Sequence, residues 1–311
     1  MKIAVIGVGG IGGYYGALLA HSGEEVSFVA RSAHLEAIRK NGLTIKSIHG
    51  DFIANPARVT DNPAEIGPVD LVLFCVKTYD TDEAAQAIKP IIRKESADTA
   101  VLSLQNGVDA VEQIGKVVGV EHMLAGATWI SSAIEAPGVI RQISDYRRVV
   151  IGEPDGKITP RLEAISNAFQ KTGITLEQST EIQKIIWHKF MFLCATSGFG
   201  SLTRLPVANY RSVPETRTLI KRLMKEVQAL AQAQGIRLDG DIIEKSLAFM
   251  DSVAPKIKPS MQLDVEAGHK TEIESIIGVM GRKGREFGIA TPVADMLYAF
   301  LLPVDLNARG K

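Results

Sequence analysis

Residues 1–23 read MKIAVIGVGGIGGYYGALLAHSG, and this opening decides the fold. Residues 1–6 are a short apolar run of the kind that makes a buried strand. Gly7-Val8-Gly9-Gly10-Ile11-Gly12 follows at once and opens a helical stretch that carries Leu18 and Leu19 and stops near Gly23. A strand turning directly into a helix through glycines at these spacings reads as a dinucleotide-binding turn. Gly7 permits the tight turn, the missing side chain at Gly9 lets a pyrophosphate pass close to the backbone, and Gly12 lets helix and strand pack closely. Free N–H groups at the helix start, in the run Val8 to Gly12, then face the phosphates. Lys2 ahead of an apolar run also suits an export signal, but the glycines, the Tyr14-Tyr15 pair and the lack of a small-x-small cleavage site argue against it.

Working outward, 311 residues exceed the usual size of one core, so two domains are expected. With 46% hydrophobic and 23% charged residues, the composition is that of a globular protein that can fill a large core. Thirty-five basic and thirty-five acidic residues cancel, which speaks against nucleic acid or a membrane surface as partner and leaves anion binding to local charge. Cys75 and Cys194 both lie in apolar runs and fit neither a disulfide framework nor a zinc pattern, so no metal is expected. Two buried thiols point to a reducing compartment, the cytoplasm. Lys189 and His188 interrupt the longest apolar run, so no membrane span is expected.

Strand-like runs recur at residues 2–6, 25–30, 70–76, 99–104 and 123–129, mostly separated by helical or loop segments. Alternating β and α units imply a doubly wound parallel sheet. Residues 43–60 turn β-like around His49-Gly50-Asp51 and suggest an inserted hairpin, while 138–144, 147–151 and 174–178 would extend the sheet with a mixed edge. After residue 179 helical periodicity takes over. The expected division is therefore an α/β domain over residues 1–179 and an all-helical domain over 180–311. Leu219, Ile220, Leu223, Met224, Val227, Leu230 and Ala231 form one apolar stripe, with Ser212-x-x-Glu215 as its capping box, and Thr271-x-x-Glu274 looks like a second box. Such stripes can bury themselves within one chain or across a homodimer, and both arrangements stay open.

In a doubly wound sheet, ligands gather beyond the carboxyl ends of the strands. The glycine turn, Arg31, Lys77 and Asn106-Gly107 all fall there. For Lys77 the alternative is a solvated surface lysine, and for Asn106-Gly107 a plain turn. Residues 28–32 read FVARS, with no acid for ribose hydroxyls and with Arg31 offering a planar fork for a phosphate, so NADP is preferred over NAD. The alternative is that Arg31 pairs elsewhere on the surface. In the helical half, Trp187-His188-Lys189 lies in a nearly unbroken apolar helix. Desolvation there would bring the Lys189 ammonium toward neutrality and suit it to protonating a carbonyl oxygen; the alternative is a lysine whose stem lies along the helix while its head reaches water.

Together the motifs Gly7-x-Gly9-x-x-Gly12, Arg31, Cys75-Val76-Lys77, Gln105-Asn106-Gly107, Trp187-x-Lys189, and Ser260-Met261 followed by Thr271-Glu272-Ile273 resemble those of the ketopantoate reductases. These are NADPH-dependent 2-dehydropantoate 2-reductases of pantothenate biosynthesis, with a Rossmann-type domain followed by a helical one. The resemblance implies Lys189 as general acid, Glu272 bonded to the reacting hydroxyl or to the lysine, and Ser260 on the substrate carboxylate. It also implies Arg31 on the 2′-phosphate, Lys77 near cofactor and substrate, and Asn106 positioning the nicotinamide and the substrate. For Glu272 a first-turn acid answering a helix dipole is the alternative.

One departure stands out. Where the family usually has asparagines four and eight residues after the lysine, this chain has Leu193 and Ser197. Losing a hydrogen-bond partner in a substrate pocket changes substrate choice strongly, so the expectation widens from ketopantoate to another 2-oxo acid held between the domains, with Ser197 among its contacts. A non-catalytic NADP-binding regulator is the rival of another class, and a 3-hydroxy acid dehydrogenase a third reading.

Overall fold

The structure, a computed structural model, describes residues 1–93 and 99–310, so the last residue of the expected helical domain lies outside it. The chain forms two compact units, Met1–Gln105 with Ala110–Ile182, and Asn106–Asp109 with Gln183–Lys311. The first contains strands β1 Lys2–Ile6, β2 Glu25–Val29, β3 Leu43–Lys46, β4 Phe52–Ala54, β5 Arg58–Thr60, β6 Leu71–Phe74, β7 Ala100–Ser103, β8 Met123–Ala136, β9 Val139–Gly152 and β10 Leu176–Gln178. Its helices are α1 Gly10–His21, α2 Ser32–Asn41, α3 Thr81–Ala87, α4 Ala110–Val118 and α5 Pro160–Gln170.

The strands make one mixed sheet in the order β4-β3-β9-β8-β7-β6-β1-β2-β5, with β10 added beside β9. From β8 through β5 the neighbours are parallel, and β8–β9 and β3–β4 are antiparallel. Both faces of the central strands are covered, as successive side chains of a strand point to opposite sides. Ile3 and Val5 of β1 join a core with Tyr15, Leu19 and Phe169, whereas Ala4 and Ile6 join one with Ala84, Ala85 and Ile114. That is the doubly wound arrangement. The strand order departs in opposite directions from β1, toward β6 and toward β2, which puts the ligand crevice of such a sheet at their carboxyl ends.

The β-like stretch near residue 50 does form an antiparallel pair, β3 with β4, while β5 leaves it to pair parallel with β2. The two segments expected at 138–144 and 147–151 are one strand, β9, and β8 runs on to Ala136. Residues 130–136, ISSAIEA, have little strand character of their own; the antiparallel partner, with irregularities at Ile130/Ser132 and Ile134/Ala136, supplies the hydrogen bonds that hold them extended.

The second unit is helical: α6 Ile182–Thr203, whose first residue belongs to the other unit, α7 Val207–Arg211, α8 Pro214–Ala233, α9 Ile242–Ser252, α10 Ser260–Glu266, a π turn over Glu274–Gly278 running into α11 Val279–Phe287, and α12 Pro292–Ala308. Its core joins Trp187, Phe190 and Cys194 of α6, the expected stripe on α8, and Leu297 and Leu301 of α12. Neither expected capping box forms as written. Helix α8 starts at Pro214, whose fixed φ and missing N–H suit a first position, and the Ser212 hydroxyl instead donates back to Ala208 O at 3.2 Å. Thr271 does accept from Ile273 N at 3.4 Å, but Glu274 turns to Arg282 and Tyr298, and the Thr271 N–H goes to Asp305. Among the described residues no helix is long and apolar enough to cross a membrane, and no cluster of three or more His, Cys, Asp or Glu could hold a metal.

Candidate functional site

In the first unit the glycine turn sits at the end of β1, against the end of β6. Gly7 has φ +90°, and a Cβ there would lie 2.7 Å from Val76 N, so both conformation and space demand glycine. At Gly12 a Cβ would lie 2.2 Å from Gly7 O and 2.9 Å from Cys75 Cβ, the close helix-to-strand approach read from the motif. At Gly9, which precedes α1, a Cβ would meet nothing within 4 Å. Val8 is buried and Ile11 half-buried, so these two anchor the turn while Gly9 borders open space. The first N–H groups of α1 have no acceptor within the helix and no capping side chain. Open space beside unanswered donors at a positive helix end is the form a pyrophosphate fits.

Gly10 was read only as one of the backbone N–H positions facing the phosphates, yet a Cβ there would lie 2.2 Å from Ser132 O on the long hairpin. No local signal could have shown this, because the obstruction comes from a strand far along the chain.

Arg31 stands where β2 gives way to α2, with its side chain 61% exposed and its Nη2 donating to Glu83 Oε1 at 2.8 Å. Lys77 is half-buried in extended backbone after β6. Gln105, legible only through the family resemblance, ties the ends of two strands together: its Nε2 donates to Val76 O at 3.0 Å and to Thr81 Oγ1 at 2.8 Å.

The second unit gathers Asn106, Lys189 and Glu272. Lys189 Nζ donates to Asn106 Oδ1 at 3.0 Å. Burial of the ammonium pulls the lysine down from its ordinary value to about 8, against the opposing pull of the Glu272 carboxylate. Glu272 is 5% exposed. The loop before it is held from α12: Asp305 Oδ1 accepts from Thr271 N at 2.7 Å and from Thr271 Oγ1 at 2.8 Å, and Arg309 bonds the other carboxylate oxygen. Directly after it comes the π turn, a device often found at functional sites. The buried Cys194 thiol, kept protonated by desolvation, donates to Ile276 O in that turn at 3.0 Å. Gly107, at φ +114°, brings the Asn106 loop to within 3.2 Å of Ser275 O as measured from an added Cβ.

Leu193 is half-buried one turn beyond Lys189, and Ser197 a turn further is fully buried. The Ser197 and Ser201 hydroxyls have no hydrogen-bond partner among the described residues, whereas Thr196 and Thr203 on the same helix bond back to Phe192 O and Phe199 O. Two buried hydroxyls on one helix thus leave the usual backbone acceptor unused. Ser260 is exposed at the first position of α10, and His188 is exposed as well.

The chain matches two family models in sequence order: "Ketopantoate reductase PanE/ApbA" over residues 3–156 and "Ketopantoate reductase PanE/ApbA C terminal" over residues 181–304. It belongs to the ketopantoate reductase family. Among the relatives of this oxidoreductase family, an uncharacterized oxidoreductase, YkpB, of Bacillus subtilis is 31% identical, with 97% of this chain and 98% of the relative covered. A 2-dehydropantoate 2-reductase of Nostoc is 29% identical over 99% of this chain and 96% of its own length. The crystal structure of a 2-dehydropantoate 2-reductase from Geobacter metallireducens superposes with a TM-score of 0.89 at 32% identity, covering 97% of this chain and 99% of that one. This family member thus spans nearly the whole length of its relatives.

Proposed function

We propose that the chain reduces the ketone of a 2-oxo acid to the hydroxyl with NADPH, 2-dehydropantoate being the first substrate to test. The observation that carries this reading is the Lys189 ammonium, bonded to Asn106 at 3.0 Å and desolvated to a pKa of about 8, in a ketopantoate reductase family chain. Such a group is charged at neutral pH yet gives up its proton readily.

NADPH, when bound, supplies hydride to the carbonyl carbon. The glycine turn from Gly7 to Gly12 would hold its pyrophosphate through backbone N–H groups, Arg31 its 2′-phosphate, and Lys77 and Asn106 its nicotinamide side. Lys189 donates its proton to the carbonyl oxygen and is reprotonated from solvent. Glu272 keeps the lysine charged or accepts from the product hydroxyl. Ser260 would take the substrate carboxylate. The free thiols Cys75 and Cys194 agree with a reducing compartment, and we assign the reaction to the cytoplasm.

A second reading, another 2-oxo acid, is favoured by the half-buried Leu193 beside the unanswered Ser197 hydroxyl. The test is NADPH oxidation, followed by absorbance, with 2-dehydropantoate and a panel of 2-oxo acids that vary the third carbon. Turnover of 2-dehydropantoate at least tenfold above all others supports the first reading. A better rate with an apolar-branched acid supports the second. Tight NADPH binding with no oxidation across the panel sinks both and leaves a regulator. Sedimentation reads whether the chain is a monomer or a homodimer.

A further inference from the structure

Where β2 passes into α2, the guanidinium of Arg31 already holds an anion. Arg31 precedes α2 without capping it, and the first turn of α2 carries no acid, so the positive end of that helix is not answered locally. Ser32 is held at φ +53°, a conformation a residue with a side chain seldom adopts. The anion that Arg31 receives is the Glu83 carboxylate, from the first turn of α3 and 52 residues away in sequence. Nothing local compels the contact, because both side chains are largely exposed, 61% for Arg31 and 69% for Glu83.

A guanidinium offers a planar fork for which a carboxylate and a phosphate compete. A 2′-phosphate would have to displace Glu83 from Arg31 and then lie beside the displaced negative charge. A ribose that keeps its 2′-hydroxyl meets neither obstacle, since a hydroxyl can donate to a carboxylate. We propose that Glu83 is a cofactor-selectivity residue: its carboxylate occupies the place on Arg31 that a 2′-phosphate needs, and so brings NADH and NADPH to comparable affinity. This rests on the dinucleotide reading above and adds to it that the chain accepts either reduced cofactor.

The test is a set of dissociation constants for NADH and NADPH, by calorimetric titration at fixed salt, for the full-length wild type, Glu83→Gln, Arg31→Ala and the double variant. Both side chains lie on the surface, so melting temperatures should be unchanged, which the same samples check. Wild type is expected to bind the two cofactors within about tenfold of one another. Glu83→Gln should tighten NADPH by about three- to tenfold, the range for freeing an exposed ion pair and removing a like charge, while NADH is unchanged or weaker. In the Arg31→Ala background that gain should vanish, because the proposal runs through the guanidinium. Equal tightening of both cofactors, no change for NADPH, a gain that survives loss of Arg31, or a wild type that prefers NADPH by a hundredfold or more would each overturn it. If the wild type binds neither cofactor, the dinucleotide reading fails as well, an outcome distinct from one in which both bind and Glu83 is silent.

Discussion

An ammonium carried on the apolar helix α6 loses hydration, and at Lys189 this loss outweighs the pull of Glu272, leaving the pKa at about 8. A general acid must hold its proton to act. Reduction measured as kcat/KM should therefore be level below pH 8 and fall about tenfold per unit above it. A bound substrate carboxylate favours the charged lysine, so the limb in kcat should lie at higher pH than the limb in kcat/KM; limbs absent from both profiles would remove the lysine from proton transfer. Lys189→Ala should lower turnover by about a hundred- to ten-thousandfold while the dissociation constant for NADPH, read by titration, stays put. The lysine was legible because a lone charge in an apolar helix is conspicuous. Its partner Asn106 lies 83 residues away, and only folding pairs the two. That Arg31 pairs on the surface was legible only as the alternative to a phosphate contact, and its partner Glu83 was not legible at all.

At the scale of elements, the glycines of the opening divide by what surrounds them. Gly12→Ala and Gly10→Ala would each press a methyl into a backbone oxygen 2.2 Å away, with no side chain able to swing aside. Each should cost at least the ~1–3 kcal/mol typical of overpacking and lower the melting temperature accordingly. Gly9→Ala meets no neighbour, so its melting temperature should stay close to that of the wild type while NADPH affinity drops sharply; retained affinity would show that no phosphate passes Gly9. Caps make a second contrast. Ser212→Ala removes only a back-bond on a short helix and should change stability by less than about 0.5 kcal/mol in urea titration. Glu226 accepts from Val293 N at 2.8 Å and Ala294 N at 3.0 Å at the start of α12, so Glu226→Ala leaves two buried donors unanswered and should cost ~1–3 kcal/mol. Sequence rules assigned a cap to α8 that does not form, because Pro214 sets the start; they were silent on Glu226, whose donors lie 67 and 68 residues away.

On the scale of the whole molecule, the apolar residues fall into separate cores, two flanking the sheet and one in the helical unit. A dinucleotide that binds the folded chain and not the unfolded one should stabilise it by about 2.7 kcal/mol at a hundred times its dissociation constant. The check is a thermal melt with NADPH, which should shift equally for wild type and Lys189→Ala; an absent shift would contradict binding. The local order of the chain was determined by the amino acids alone: the strand–turn–helix opening, the alternation of β and α, and the helical second half. Each of these follows from side-chain period and backbone freedom within a few residues. Tertiary structure alone decided the continuity of β9, the obstruction at Gly10, the unanswered hydroxyls of Ser197 and Ser201, the carboxylate on Arg31 and the pairing of Lys189 with Asn106. These depend on which distant groups packing brings within hydrogen-bond reach and how much water it removes, quantities that have no signature in a short stretch of chain.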